Sequence, residues 1–118
     1  MAYDDRDYGV QTINTGHITG SASASMQKFL MYRSTILKRV SALVVTAGTN
    51  TAAAVDVYVG TASVGSLAFG TNTAGSVLDT GLLNIDVPAQ GVIELKGAAT
   101  SSTLVGAFQM QIQPDAGG

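Results

Sequence analysis

The sequence predicts an all-β fold, an antiparallel β-sandwich preceded by an extended N-terminal arm, and three observations predict it. In the best-defined runs apolar residues recur with period two, the side-chain spacing on one face of a strand. Turn-forming clusters punctuate the chain at about 8 to 12 residue spacing, as in a sandwich or barrel. No window carries the i, i+3, i+4 apolar stripe of an amphipathic helix. A chain of 118 residues has room for one domain.

Residues 1–27 are polar and rich in small residues (GHITGSASAS), with no sustained apolar period. They are expected to form an arm, with one short strand at Val10 to Ile13, that is mobile in the free protein and ordered against a neighbour when bound. Residues 28–118 are expected to form the sandwich. In AAAVDVYVG the residues Ala53, Val55, Val57 and Val59 share one face and Ala54, Asp56 and Tyr58 the other. In LVGAFQMQIQ the same rule sends Leu104, Gly106, Phe108, Met110 and Ile112 inward and Ala107, Gln109, Gln111 and Gln113 outward. Val55, Val57, Val59, Leu104, Phe108, Met110 and Ile112 are therefore the expected core.

Further strands are expected at Lys28–Arg33, Ile36–Thr46, Ser63–Phe69, Val77–Val87 and Val92–Lys96, each bounded by turn chemistry such as AGTNT, PAQG or KGAATSS. Pro88 and Pro114 stand where a run ends, as residues lacking an N–H should. The pentapeptide GTNTA occurs at Gly48–Ala52 and again at Gly70–Ala74. It reads as one turn solution used twice, Gly and Asn tolerating positive φ, because the flanking sequences share little.

Composition points to a protein that buries surface against partners. Hydrophobic residues make up 46% of the chain but charged residues only 12%, about half the usual share, with 14 glycines among many small residues. So little charge protects a free monomer poorly against association. The net charge of -2 divides into an acidic arm (Asp4, Asp5, Arg6, Asp7), a basic segment (Lys28, Arg33, Lys38, Arg39) and an acidic body. With a sequence pI near 4.9, that segment is a weak nucleic-acid signal. The N-terminus has neither the apolar run of a secretory signal nor the character of a transit peptide. No aliphatic stretch approaches the roughly 20 residues needed to cross a bilayer, so a soluble cytoplasmic product is expected.

Chemistry has few candidates. The absence of cysteine removes disulfides, thiolate metal sites and a thiol nucleophile. His17 is the single histidine and lies in the polar arm, so no Ser-His-acid set can be argued. Asp4, Asp5 and Asp7 lack the glycine and distal acid of an EF-hand loop, and read as a solvated cluster. Asp79, Asp86 and Glu94 fall in separate runs that sequence cannot bring together. No phosphate-binding G-x-x-x-x-G-K-[ST] loop is present. No catalytic, cofactor-binding or metal-ligating residue is assigned, and an enzyme is not expected. Carbohydrate binding would need an aromatic platform; the chain has no Trp, and Tyr58 beside Asp56 reads first as an exposed interface tyrosine.

The run from Thr35 to Gln113 (TILKRVSALVVTAGTNTAAAVDVYVGT, AGSVLDTGLLNIDVPAQGVIEL and LVGAFQMQIQP) resembles the small β-sandwich decoration or cement proteins of bacteriophage capsids. The likeness is a pattern of β-runs and Gly/Thr/Ala turns rather than a diagnostic motif. It implies a jelly-roll-like sandwich, often trimeric, that binds neighbouring major capsid protein subunits on the exterior of the virion. Nucleic acid and membrane are not expected partners. The absence of a signature leaves trimer, dimer and monomer open, and a carbohydrate-binding or host-attachment module of a fibre or tail is the alternative. The interface is expected to use Tyr8, Val10, Ile13, Lys28, Arg33, Lys38, Arg39 and Tyr58.

Overall fold

The computed structural model describes residues 10–20, 23–49, 51–98 and 104–114. Among them are nine strands: β1 (Gln11–Thr19), β2 (Ser25–Leu30), β3 (Thr35–Thr46), β4 (Val55–Val59), β5 (Ala62–Leu67), β6 (Val77–Asp79), β7 (Ile85–Val87), β8 (Val92–Gly97) and β9 (Val105–Pro114). They form two sheets, one ordered β1-β9-β3-β6 with β7 also on β3, the other β2-β8-β4-β5. Every pairing is antiparallel. The all-β sandwich expected from the sequence is the fold.

The pairs nest. β4 pairs β5, β3 pairs β6 and β7, β2 pairs β8, and β1 pairs β9, so the chain is one long hairpin whose successive rungs fall alternately in the two sheets. It closes at the β4–β5 turn between Val59 and Ala62, where Gly60 has a φ of +63°, a value L side chains adopt reluctantly. The lateral pairs β3·β9 and β4·β8 then complete the sheets.

Period two places the core in β9 and β4. Gly106, Phe108, Met110 and Ile112 point inward from β9, and Val55 and Val57 from β4. Val59 is only half-buried and packs against the core's edge beside the closing turn. β3 contributes Leu37, Val40, Ala42 and Val44, all buried. Leu37 and Val40 are three apart, yet both face inward because the β3·β9 register shifts between Leu37 and Arg39. Phe69, just beyond β5, lies over Gly106 and against Phe108, with ring centroids 5.7 Å apart. A Cβ at Gly106 would stand 2.7 Å from Cζ of Phe69, so the ring occupies the place of a side chain.

Several expectations need correction. Residues 11–19, assigned to the arm, form edge strand β1 paired along β9, and β2 begins at Ser25, so the boundary at residue 27 falls inside a strand. The short strand expected at Val10 to Ile13 is the start of β1, and period two did not extend it because the inward residues Ile13 and Ile18 are five apart across a bulge at Thr15 and Gly16. There Gly16 has a φ of +74°, and Thr15 Oγ1 accepts the Phe108 N–H (3.1 Å) that a regular ladder would have paired. Arm residues 1–9 lie outside the described residues.

The expected run Val77–Val87 is two short strands. Thr80 N–H still bonds Val40 O (2.9 Å) and Leu83 N–H bonds Lys38 O (2.7 Å), but positive φ at Gly81 and Asn84 turns Leu82 outward, 61% exposed. The GTNTA copies also do not share one conformation: Gly70 has a φ of +50°, whereas Gly48 is buried without a positive φ. They lie side by side at one end, a Cβ at Gly70 coming 3.3 Å from the Thr51 carbonyl.

Two substitutions test this packing by urea denaturation. Phe108→Ala should cost about 3–5 kcal/mol, the usual loss for a buried aromatic. Gly106→Ala should cost about 1–3 kcal/mol through overpacking against Phe69, and Phe69→Leu introduced alongside should recover part of it.

Candidate interaction face

The outer face of the first sheet is built from the side chains that β1, β9, β3 and β6 turn away from the core. Antiparallel register lines them up in rows across the strands. One row runs His17, Ala107, Leu43, Val77; the next runs Asn14, Gln109, Ser41, Asp79; a third runs Thr12, Gln111, Arg39. Small residues at Ala107 and Ser41 leave a depression of about 410 Å³, bordered by Asn14, His17, Leu43, Val77 and Gln109. Leu43 is 42% and Val77 73% exposed, so the row ends in adjacent uncovered aliphatic side chains.

Charge on this face is sparse and partly paired. Arg39 reaches Asp79 at 3.5 Å, and the other Asp79 oxygen accepts the Gly81 N–H at 2.8 Å. Gln109 donates to Asn14 Oδ1 at 3.3 Å, which links the amides of β9 and β1. A second depression, about 400 Å³, lies further along the face between Val10, Lys38, Arg39, Leu82 and Gln111. Aliphatic side chains therefore flank an amide-rich centre, the composition of a surface that buries readily because few charges lose water.

The second sheet's outer face is different. Glu94 stands between Lys28 and Tyr58 in register, and Lys96 stands opposite Asp56. Lys96 Nζ lies 5.2 Å from the Tyr58 ring centroid, within cation–π range. Its charges are thus set against each other across neighbouring strands.

The expected interface residues are divided among these surfaces. Val10, Lys38 and Arg39 meet in the second depression. Lys28 and Tyr58 belong to the other sheet, and Arg33 lies exposed in the β2–β3 connection. Ile13 points inward against the core. Tyr8 lies outside the described residues. The basic segment accordingly makes no single patch: strand alternation and the turn after β2 send its four charges in three directions. Sequence reasoning missed Leu43, Val77 and Leu82, since an apolar residue in a strand reads as core until register shows which face it occupies.

Residues with reactive potential stay apart. His17 is exposed at the depression's edge, in register with Ala107. Asp79 is tied to Arg39, Asp86 lies opposite Ile36, and Glu94 belongs to the other sheet, so the three acids do not converge. Among the described residues no group of three or more His, Asp or Glu could hold a metal ion, and no helix is long and apolar enough to cross a membrane. The chain matches no protein-family model and no curated protein.

The Arg39–Asp79 pair is well solvated, which predicts a small energy. Arg39→Gln, which leaves the Asp79 bond to Gly81 intact, should change the unfolding free energy by less than about 1 kcal/mol, and by less still at high salt. Urea titrations at two ionic strengths check this.

Proposed function

We propose that this protein is a non-enzymatic structural component of a phage virion, a decoration or cement protein that docks on the capsid exterior and bridges neighbouring major capsid protein subunits. The observation that carries the reading is the outer face of the first sheet, where exposed Leu43 and Val77 adjoin an amide-rich, sparsely charged surface. Contiguous exposed apolar side chains on a soluble protein mark a binding surface. Such a surface binds by area and shape, which suits a part that holds others together.

The strand order lends support. A hairpin whose rungs pass alternately between two sheets ordered β1-β9-β3-β6 and β2-β8-β4-β5 is the wrap we read as a jelly roll, an architecture frequent in viral capsid proteins. Self-association is part of the same proposal, as a homotrimer, and is supported by the low share of charged residues, 12%, which protects a free monomer poorly against association. The protein would be made in the host cytoplasm and act without nucleic acid, membrane or cofactor.

A carbohydrate-binding or host-attachment module is the second reading, favoured by the amides of Asn14 and Gln109 beside the same depression, which suit sugar hydroxyls. One pair of variants separates the two. Leu43→Glu combined with Val77→Glu should leave the fold intact and weaken binding to capsids lacking the protein by about 30-fold or more, the size of a hot-spot loss. Asn14→Ala combined with His17→Ala should have little effect on capsid binding. Unchanged capsid binding by the glutamate variant overturns the docking face, and glycan binding that is lost with Asn14 and His17 favours attachment.

A further inference from the structure

The connection between β6 and β7 holds an apolar side chain out in water by a pinned backbone. Thr80 N–H bonds Val40 O (2.9 Å), Val40 N–H donates in turn to Thr80 Oγ1 (3.2 Å), and Leu83 N–H bonds Lys38 O (2.7 Å). Between these anchors an Asp79 oxygen accepts the Gly81 N–H at 2.8 Å. Positive φ at Gly81 (+78°) and Asn84 (+52°) sets the path of the chain, so that Leu83 packs against the core and Leu82 stands 61% exposed. A leucine held in this way loses little further backbone freedom when a partner covers it, and the burial of its side chain is then mostly gain.

The same face holds a hollow that suits such a side chain. The depression of about 400 Å³ on whose rim Leu82 stands is bordered otherwise by Val10, Lys38, Arg39 and Gln111. Arg39 is engaged by Asp79 of its own chain, whereas Lys38 makes no ion pair among the described residues. Beyond Leu82 the charge is of opposite sign: Asp86, exposed opposite Ile36, makes no ion pair among the described residues either. A projecting leucine followed by an unpaired carboxylate and a hollow edged by an unpaired ammonium complement each other in shape and in charge. Every copy of the chain carries both, so a second copy is the partner that this surface fits.

We propose that Leu82 of one copy enters the depression of the next, with Asp86 of the first copy facing Lys38 of the second. The inserting and receiving positions differ, so the contact is heterologous, and heterologous contacts close into rings where the rotation allows. The inference rests on the homotrimer reading above and names the surface that builds it. Val10, Arg39 and Gln111 surround the inserted leucine and exclude water, the arrangement in which one buried side chain dominates an interface. Leu43 and Val77 border the other depression and are left for the capsid.

Sedimentation equilibrium of the full-length protein at micromolar concentration, without capsids, tests this. The unmodified protein should show three times the 12.0 kDa mass of one chain. Leu82→Ser should weaken assembly by about 30-fold or more, the size of a hot-spot loss. Lys38→Glu should weaken it less, and Lys38→Glu combined with Asp86→Lys should recover that loss, both effects shrinking at high salt. Leu43→Glu combined with Val77→Glu should leave assembly unchanged. Unchanged dispersion of the β9 amides in NMR spectra establishes that each variant is folded. A single-chain mass for the unmodified protein overturns this contact and the homotrimer together. A trimer that survives Leu82→Ser, that the charge exchange fails to recover, or that dissociates with the Leu43 and Val77 variant overturns this contact and leaves the homotrimer standing. A two-chain mass lost with Leu82→Ser supports the contact and overturns the homotrimer.

Discussion

The pairing of β3 with β9 is the constraint on which the rest of the structure depends. It runs from Thr35 opposite Pro114 to Thr46 opposite Val105, and it places Leu37, Val40, Ala42 and Val44 beside Gly106, Phe108, Met110 and Ile112 on one buried surface. β1 attaches to one side of this pair, β6 and β7 to the other. The second sheet closes over it through Val55, Val57, Leu67, Ile93 and Leu95, with Phe69 seated on Gly106. A slip of one residue in the ladder would turn the inward side chains of one of the two strands to water, so the core and the register specify each other.

Nested pairing has consequences for folding and for the edges. Joining Gln11 to Ile112 closes nearly the whole chain, and the entropy of such loops must be met before their contacts stabilise anything. Folding in the millisecond-to-second range of non-local β proteins follows. Two outer strands, β1 and β2, carry register irregularities, at Thr15–Gly16 and at Met26. Bulges of this kind twist an edge and hinder indiscriminate strand addition. The exposed aliphatic side chains stand elsewhere, on the sheet face and at the sandwich ends.

The two exterior faces divide the surface by chemistry. On the second sheet, Lys28, Glu94, Lys96, Asp56 and Tyr58 oppose or stack on one another, and docking there would strip water from several charges. Among the described residues the first sheet presents amides, hydroxyls and aliphatic groups around the Arg39–Asp79 ion pair and Lys38. That difference in desolvation cost is what makes the first sheet the proposed docking face.

Alternation alone determined that the protein is all-β, that β4 and β9 bury Val55, Val57, Phe108, Met110 and Ile112, and that Gln109 and Gln111 face out. Those strands are regular, and a regular strand repeats every two residues whatever surrounds it. Bulges hid the continuation of β1 beyond Ile13 and the inward pairing of Leu37 with Val40, because one extra residue reverses the parity that the eye follows. The split between β6 and β7 and the exposure of Leu82 depended on backbone angles at Gly81 and Asn84. Only the tertiary structure decided that Leu43 and Val77 share an exposed row and that four basic residues part company. Each is a fact about which distant strands lie in register, and register is fixed by the packing of the whole core rather than by any one segment.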